Sequence, residues 1–475
     1  MVFPVVGGDG KPTGYEVSNS LRLTDNGYLN RTRSSPTDTK GTFSAWIKTA
    51  AQNSINLAGG ASSVNDRAYI YFPSSGDGFS GGIFSRISGS ANMNFSTSAV
   101  YRDPAAWYHL VVAIDSTQST ESNRVKWYVN GEQVTSFSSA SYPSQNGEIP
   151  LFSKAAHTIG ASYGASSISN WSDGYIAEVY YADGTQYAAS DFGETNDNGV
   201  WVPKEAKDDI SFGNEGFYLE FKQTGTGTNS SGIGADTSGN DNHLAVNNLA
   251  ATDVTTDTPT NNFCTYNPLD VSGDENPAKV CTFSEGNTKL VQGNSNDVIG
   301  WAASTIGIRN GKWYFEIKLP TVGYQVFGIG PESWDGQDGA HDNVFHVYVD
   351  NGVATFRTGA SGGQGSFSFS ESNNDIWMFA LDLDTPKLWF GVNGNWYNSG
   401  DPSAGSNPTS TQPITDTVFI KGSLYTQNRV ILLNTGQPSF SISSGNSDAN
   451  GHGNFEYAPP SGFLSICTKN LAETG

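Results

Sequence analysis

The sequence predicts an all-β protein built as two antiparallel β-sandwiches, and three observations predict it. The first is a stretch that occurs twice, from Trp107 to Glu132 (WYHLVVAID…RVKWYVNGE) and from Ile376 to Trp396 (IWMFALDLDTPKLWFGVNGNW). Each copy is a pair of apolar, alternating segments; an Asp (Asp115, Asp382) closes the first, and an Asn-Gly pair (Asn130-Gly131, Asn393-Gly394) follows the second. The second observation is composition: 55 glycines, 12% aromatic and only 15% charged residues, with short apolar runs set between turn residues. The third is that no long run carries helical periodicity. A chain of 475 residues exceeds one small core and suits two domains, one for each copy.

The charge balance narrows the partners. With 25 Lys and Arg against 46 Asp and Glu, the net charge is −21, which argues against nucleic acid because a basic patch is needed to hold phosphates. The same balance disfavours an anionic membrane surface, and it favours solubility, as suits a protein displayed in many copies on a surface. The cysteines are Cys264, Cys281 and Cys467, an odd number in a long chain and without a C-x-x-C pair, so neither a disulfide framework nor zinc is expected. They read as reduced thiols, with a Cys264–Cys281 bridge as the alternative. The opening MVFPVVGGDGKPTG lacks the basic and apolar regions of a secretory signal, and no segment reaches transmembrane length. Release on a particle or by lysis is the expectation that follows.

Taken in order, residues 1–14 read as an N-terminal arm. Strand-like segments follow in SNSLRLTDNGYLNRT from Ser18, then Gly41–Ala50, Ala68–Phe72 and Gly81–Ile87. In the first central pair, Val125, Trp127 and Val129 share one face and Lys126 and Tyr128 the other, the period of a half-buried strand. Asn-Gly favours the tight turn with positive φ at both central residues, so a further antiparallel strand should come next. Ala156–Ser162 and Asp173–Tyr187 complete the series.

The strand holding Trp46, then WYHLVVAID, WYVNGE and DGYIAEVYY, resemble in their order a laminin-G-like, concanavalin A-like jelly roll over residues 15–190. That family includes sugar-binding lectins, calcium-dependent binders, enzymes and structural modules, so the resemblance implies a fold and leaves function open. Residues 191–262 read as a transition with closing strands. Its stretch DTSGNDNHLAVNN (Asp236–Asn248) resembles the segment that usually opens such a domain, yet here it closes one, as a strand or loop wrapping onto either sandwich. In residues 263–475, Gly311–Leu319, Val326–Gly330, the Ile376–Trp396 pair, Arg429–Phe440 and Pro459–Cys467 resemble a SPRY domain. That family implies a twisted antiparallel sandwich that binds partners through loops at one end. The pairing of the two modules around DTPTNNF resembles virion proteins of tailed viruses of aquatic bacteria.

Each candidate site has its own chemical requirement. A glycosidase of this fold needs paired carboxylates, of the pattern E-x-D-x-x-E, and none occurs. Asp382 and Asp384 read as turn caps, and Glu178, on a strand among aromatics, is a single carboxylate. The histidines (His109, His157, His243, His341, His346, His452) show no metal-ligating spacing, and no G-x-S-x-G marks a serine nucleophile. Calcium is the plausible ion, since hard cations take carboxylate, amide and carbonyl oxygens from loops. Asn65, Asp66 and Asp173 are the candidates, with ordinary turns as the alternative. Sugar binding calls for an exposed ring beside hydrogen-bonding carboxylates or amides. Two loops of the second half fit, one with Trp334, Asp335 and Asp342 and one with Trp396 and Tyr397; Trp171 beside Asp173 fits in the first half. Trp46, Trp107, Trp127, Trp313, Trp377 and Trp389 are assigned to cores.

The expected function is a non-catalytic virion surface or appendage protein of a tailed bacteriophage that binds host-surface glycan. It would be assembled in the host cytoplasm and released by lysis. Its other partners would be virion subunits, including further copies of the chain, with no membrane insertion. The alternatives are a purely structural capsid-decoration or tail component and, third, a polysaccharide depolymerase. No heptad run would trimerise the chain, so any homo-oligomer would form through the arm or the sandwich faces.

Overall fold

The computed structural model describes residues 14–474 except 25, 35, 36, 38, 51–54, 73, 76, 77, 154, 155, 164–166, 274–280, 293–299, 335, 337–341, 351, 352, 360–362, 369–371, 426 and 427. The described chain divides between Thr260 and Asn261 into two compact units. Each is built on a pair of sheets, antiparallel except where Leu464–Ser465 runs parallel to Lys312–Thr321 in the C-terminal unit.

In the N-terminal unit the first sheet is centred on Lys40–Thr49, flanked by Trp107–Asp115 and by Gly174–Asp183. The second sheet runs through Phe137–Ser141, Ser90–Thr97, Gly82–Ile87, Asp66–Phe72, Ile55–Ser63, Ala156–Ile159, Tyr28–Thr32 and Ala245–Asn247. Between them lies a core that includes Phe43, Ile47, Ile70, Ile83, Phe95, Leu110, Val112, Trp127, Ile176 and Tyr181. The WYHLVVAID strand is nearly continuous in apolar residues because both its faces are covered. Residues after Asp183 fold back over the outer face, laying Ala189, Phe192, Ile210 and Phe212 against Val111, Ala113, Tyr180 and Ala182.

Residues 191–260, read above as a transition, lie in this unit and add strands to both sheets. Phe217–Leu219 pairs with Gly174–Asp183, Ala245–Asn247 with Tyr28–Thr32, and Val254–Thr255 with Ser20–Leu23. The D-x-S-G-N-x-x-H stretch is a loop staple. The Asp236 carboxylate accepts the amides of Tyr218 (2.9 Å), Ser238 (2.8 Å) and Asn242 (2.8 Å), and the Asp236 amide donates to His243 Nδ1 (3.0 Å). Its polar residues therefore hold a turn beside strand 217–219, which uses the carboxylate up internally.

The C-terminal unit repeats the plan. One sheet orders Tyr266–Gly273, Gly300–Ile308, Val418–Leu424, Gln325–Pro331, Phe345–Asp350, Val353–Thr358 and Gly363–Ser368. The other is built on Lys312–Thr321 between Val430–Asn434 and Asp375–Asp382. Phe315, Phe327, Phe345, Trp377, Phe379 and Phe390 pack between them, with Phe315 and Phe379 stacked at 4.8 Å. Cys264, Cys281 and Cys467 are buried thiols outside any disulfide.

The repeated stretch forms one structural device in both units. The Asn130 side chain accepts the His109 amide (2.8 Å) and its own amide donates to His109 O (2.9 Å); Asn393 does the same to Ile376, at 2.9 Å each. Both turns take positive φ, 48° and 83° for Asn130-Gly131 and 49° and 83° for Asn393-Gly394, as the tight hairpin requires. At the far end, Asp115 accepts Thr117 and pairs with Lys40 (3.3 Å), and Asp382 accepts Thr385 and pairs with Lys312 (3.0 Å). Burial pushes both carboxyls up, but these donors outweigh it and hold them below the usual range.

Candidate functional site

The loop aromatics expected to stack on sugar are mostly packed away. Trp334 is 1% exposed, because its loop turns back and lays the indole on His346 (centroids 4.8 Å apart, planes at 23°). Its expected role as an exposed platform is thereby corrected: a ring filled on both faces offers none to a ligand. Asp335 lies outside the described residues, and Asp342 is exposed. Trp396 and Tyr397, adjacent in sequence, point to opposite sides. Trp396 is half-buried in the outer cluster of Tyr314, Met378, Trp389 and Phe455, whereas Tyr397 stacks on Phe390 (5.0 Å) against the main core. They do not form one platform. Trp171 is 41% exposed, but its neighbour Asp173 is buried.

The calcium candidates do not converge either. Ser172, next to Asp173, is bonded to the backbone of Asn56 at the start of strand Ile55–Ser63, while Asp66 pairs with Ser63 at its end. At a strand rise of about 3.3 Å per residue, the two carboxylates are about 20 Å apart. Asp66 is also occupied, accepting the Ser88 amide (2.9 Å) and the Ser63 hydroxyl (3.3 Å). Asn65, Asp66 and Asp173 therefore do not make one cation site, and among the described residues no group of three or more His, Cys, Asp or Glu could hold a metal ion.

What the fold does assemble is a cleft on the outer face of the first sheet of the N-terminal unit. It has a volume of about 430 Å³ and is lined by Trp46, Trp107, Val200 and Trp201, with Asn130, Glu132 and Thr195 supplying polar groups. Strand periodicity sends Trp46, Trp107 and His109 to this face, opposite Ile47 and Leu110 in the core. The hairpin Gly193–Thr195 and Trp201–Pro203 then brings Trp201 over them. Gly131 makes that approach possible: with φ +83°, a Cβ there would sit 2.5 Å from the Trp201 ring. Trp46, His109 and Trp201 form a stacked ladder, with centroids 4.9 Å and 6.0 Å apart. Trp201 Nε1 donates to His109 Nδ1 (3.0 Å), so His109 carries its proton on Nε2 and donates it to Ser44 Oγ (2.9 Å). Burial lowers the His109 pKa to about 3, which keeps the ladder uncharged.

Trp107 is held at the other wall by Asp257, whose carboxylate accepts its Nε1–H (3.1 Å) and pairs with Lys48 (2.8 Å). Trp107 and Val200 stay accessible, Val200 being 50% exposed. Trp107 is half-buried: its ring packs, with those of Tyr15 and Trp201, against a second, smaller core cluster of buried Val17, Trp46 and Ala177. Trp201 carries a weak sequence signal because its apolar run, Val200 to Val202, ends at Pro203 and is too short to show strand periodicity. The preceding Asn-Asp-Asn-Gly turn was the one signal that could have placed it in a hairpin.

Beside this cluster, Glu178 is buried at a β-bulge with φ +51°, its Oε2 accepting the hydroxyls of Tyr218 (2.6 Å), Tyr15 (3.0 Å) and Tyr180 (3.4 Å). Burial raises its pKa from 4.5 to about 7 against the pull of those donors, and Glu220 adds to the rise. The folded state thus binds this proton more tightly than the unfolded chain does, and stability falls as pH rises from 4.5 through about 7. Replacing Glu178 with Gln is expected to flatten that slope in denaturation midpoints measured on both sides of the window. An unchanged slope would remove Glu178 as its source.

No curated protein matches the chain. Among solved structures it is similar to the SPRY domain of human HERC1 (12% identity, 35% of this chain and 96% of that one, TM-score 0.25). It is likewise similar to a heptameric SAP-like pentraxin from Limulus polyphemus (13%, 37% and 80%, TM-score 0.28) and to the TRIM65 PSpry domain (10%, 36% and 91%, TM-score 0.27). Residues 23–190 match the model of the concanavalin A-like lectin/glucanases superfamily, which covers the strands that carry the cleft's Trp46, Trp107 and Asn130.

Proposed function

We propose that the chain is a non-catalytic carbohydrate-binding protein whose N-terminal unit takes a sugar ring in the Trp46–Trp107–Trp201 cleft. In the context suggested by its module order, it would serve as a surface or appendage protein of a tailed-phage virion, bound to host-surface glycan. The observation that carries the reading is one cleft where the half-buried rings of Trp107 and Trp201, over a buried Trp46, meet Asn130, Glu132 and Thr195. Pyranose rings present an apolar C–H face that stacks on indole and a rim of hydroxyls that amides and carboxylates bind. The uncharged ladder beneath holds the platform rigid, which limits the entropy lost on binding.

A glycan array probed with the purified chain tests this. Selective binding is expected, and Trp201→Ala should weaken it by about 1–3 kcal/mol, the range for truncating an aromatic anchor. A blank array from folded protein, or binding indifferent to Trp201→Ala, would turn the reading toward a structural virion role.

A further inference from the structure

The second sheet of the same unit carries a different kind of surface. Strands Asp66–Phe72 and Gly82–Ile87 pair in a register that sets Arg67 opposite Arg86 and Tyr69 opposite Phe84, all on the face turned away from Ala68, Ile70 and Ile83. Tyr71 continues the row, its ring lying over Gly82, where a Cβ would come within 2.8 Å. The rings touch: Tyr69 meets Phe84 at 5.4 Å and Tyr71 at 5.4 Å. Each guanidinium caps a ring, Arg67 over Tyr69 (5.8 Å) and Arg86 over Phe84 (5.7 Å). All five side chains are half-buried, so each keeps accessible surface.

Two features of this row point to a ligand. Like charges directly opposite on paired strands are destabilising, and here they are retained in a chain with 25 basic residues against 46 acidic ones. In addition, the Arg86 guanidinium makes no ion pair or hydrogen bond among the described residues, and its Nε is buried without a partner. Arg67 is anchored, donating through Nη1 to Tyr163 O (2.7 Å), so the pair is half-fixed and half-open.

We propose that this face binds a carboxylate-bearing sugar, a uronic acid residue of an acidic polysaccharide. The carboxylate would take the fork of Arg86, with Arg67 beside it, and so relieve both the repulsion and the orphaned donor. Tyr69, Tyr71 and Phe84 would receive the apolar faces of the ring and of its neighbours along the polymer. The surface is on the opposite sheet from the indole cleft, and its ligand is set by charge, so the two readings stand or fall separately.

Titration calorimetry of the full chain with an oligogalacturonate, against a neutral oligosaccharide of the same length, tests it. The uronate should bind, Arg86→Gln should weaken it at least about tenfold through loss of a charge-assisted bond, and Trp201→Ala should leave it unchanged. Phe84→Ala should weaken it too, through a loss of stacking that does not depend on the charge. No binding by the folded chain, binding indifferent to both Arg86→Gln and Phe84→Ala, or preference for a single-stranded oligonucleotide would each overturn the proposal.

Discussion

Replacing Asp257 with Asn is expected to lower the unfolding free energy of the N-terminal unit by about 3–5 kcal/mol, the range for removing one partner of a buried ion pair. Lys48 and Asp257 have side chains 1% and 0% exposed, joined at 2.8 Å. Neither charge has water to fall back on, and the Lys48 ammonium lies 5.2 Å from the Tyr175 ring, which offsets only part of its desolvation. Asn keeps the shape and an acceptor for Trp107 but removes the carboxylate charge that faces the ammonium. The size of the effect therefore reports the lost charge pair and not lost packing. Denaturant titration of the full chain measures it, and Lys48→Met combined with Asp257→Leu should recover most of the loss by removing both charges. A loss below about 1 kcal/mol for Asp257→Asn would mean that water reaches Lys48.

Glu316→Gln should have a comparable effect in the C-terminal unit, about 3 kcal/mol or more, because hydrogen bonds to charged groups are the stronger kind. Glu316 is fully buried and accepts from Tyr314 Oη (3.0 Å), Asn434 Nδ2 (3.0 Å) and the amides of Glu456 (3.1 Å) and Tyr457 (2.8 Å). Both oxygens face donors only, the pattern that an acceptor-only carboxylate satisfies. Burial nevertheless raises its pKa, with the same donors opposing. In Gln an amide NH₂ would confront two donors at one position, leaving them unsatisfied and the chain around Glu456 and Tyr457 untethered. Hydrogen exchange at those two amides reads this directly. Protection equal to that of the parent would show that the loop holds without the carboxylate.

The sequence made the scaffold legible because strand signals are local. The period-2 pattern around Trp127, the Asn-Gly turns, and Asp382 and Asp384 as caps depend on neighbours within a few residues, and Asp384 does accept the Gly311 amide (2.9 Å). The site was less legible because it depends on where loops go. Trp334 looked exposed on account of its Gly- and Asp-rich surroundings, yet its fate was decided by His346 across the sheet. Trp396 and Tyr397 looked like one cluster because they adjoin in sequence, whereas an extended backbone sends neighbours to opposite faces. Asp66 and Asp173 look equivalent as turn residues, and only the length of the strand between them separates them. Trp201 required the opposite inference, that a segment after the last clear strand returns to cover the sheet.

That return has a temporal side. The first strand of the N-terminal unit, Ser20–Leu23, pairs with Val254–Thr255, and Lys48 pairs with Asp257. A nascent chain growing at about 5–20 residues per second would therefore hold an unclosed sheet edge and a Lys48 still waiting for Asp257 for about ten seconds or longer before its last strand emerges from the ribosome. Topology of this non-local kind folds slowly, so the early strands stay exposed to off-pathway edge pairing throughout that interval. A fragment ending at residue 190, where the superfamily match stops, would be caught in that state permanently. Expression boundaries for this unit belong after Thr260.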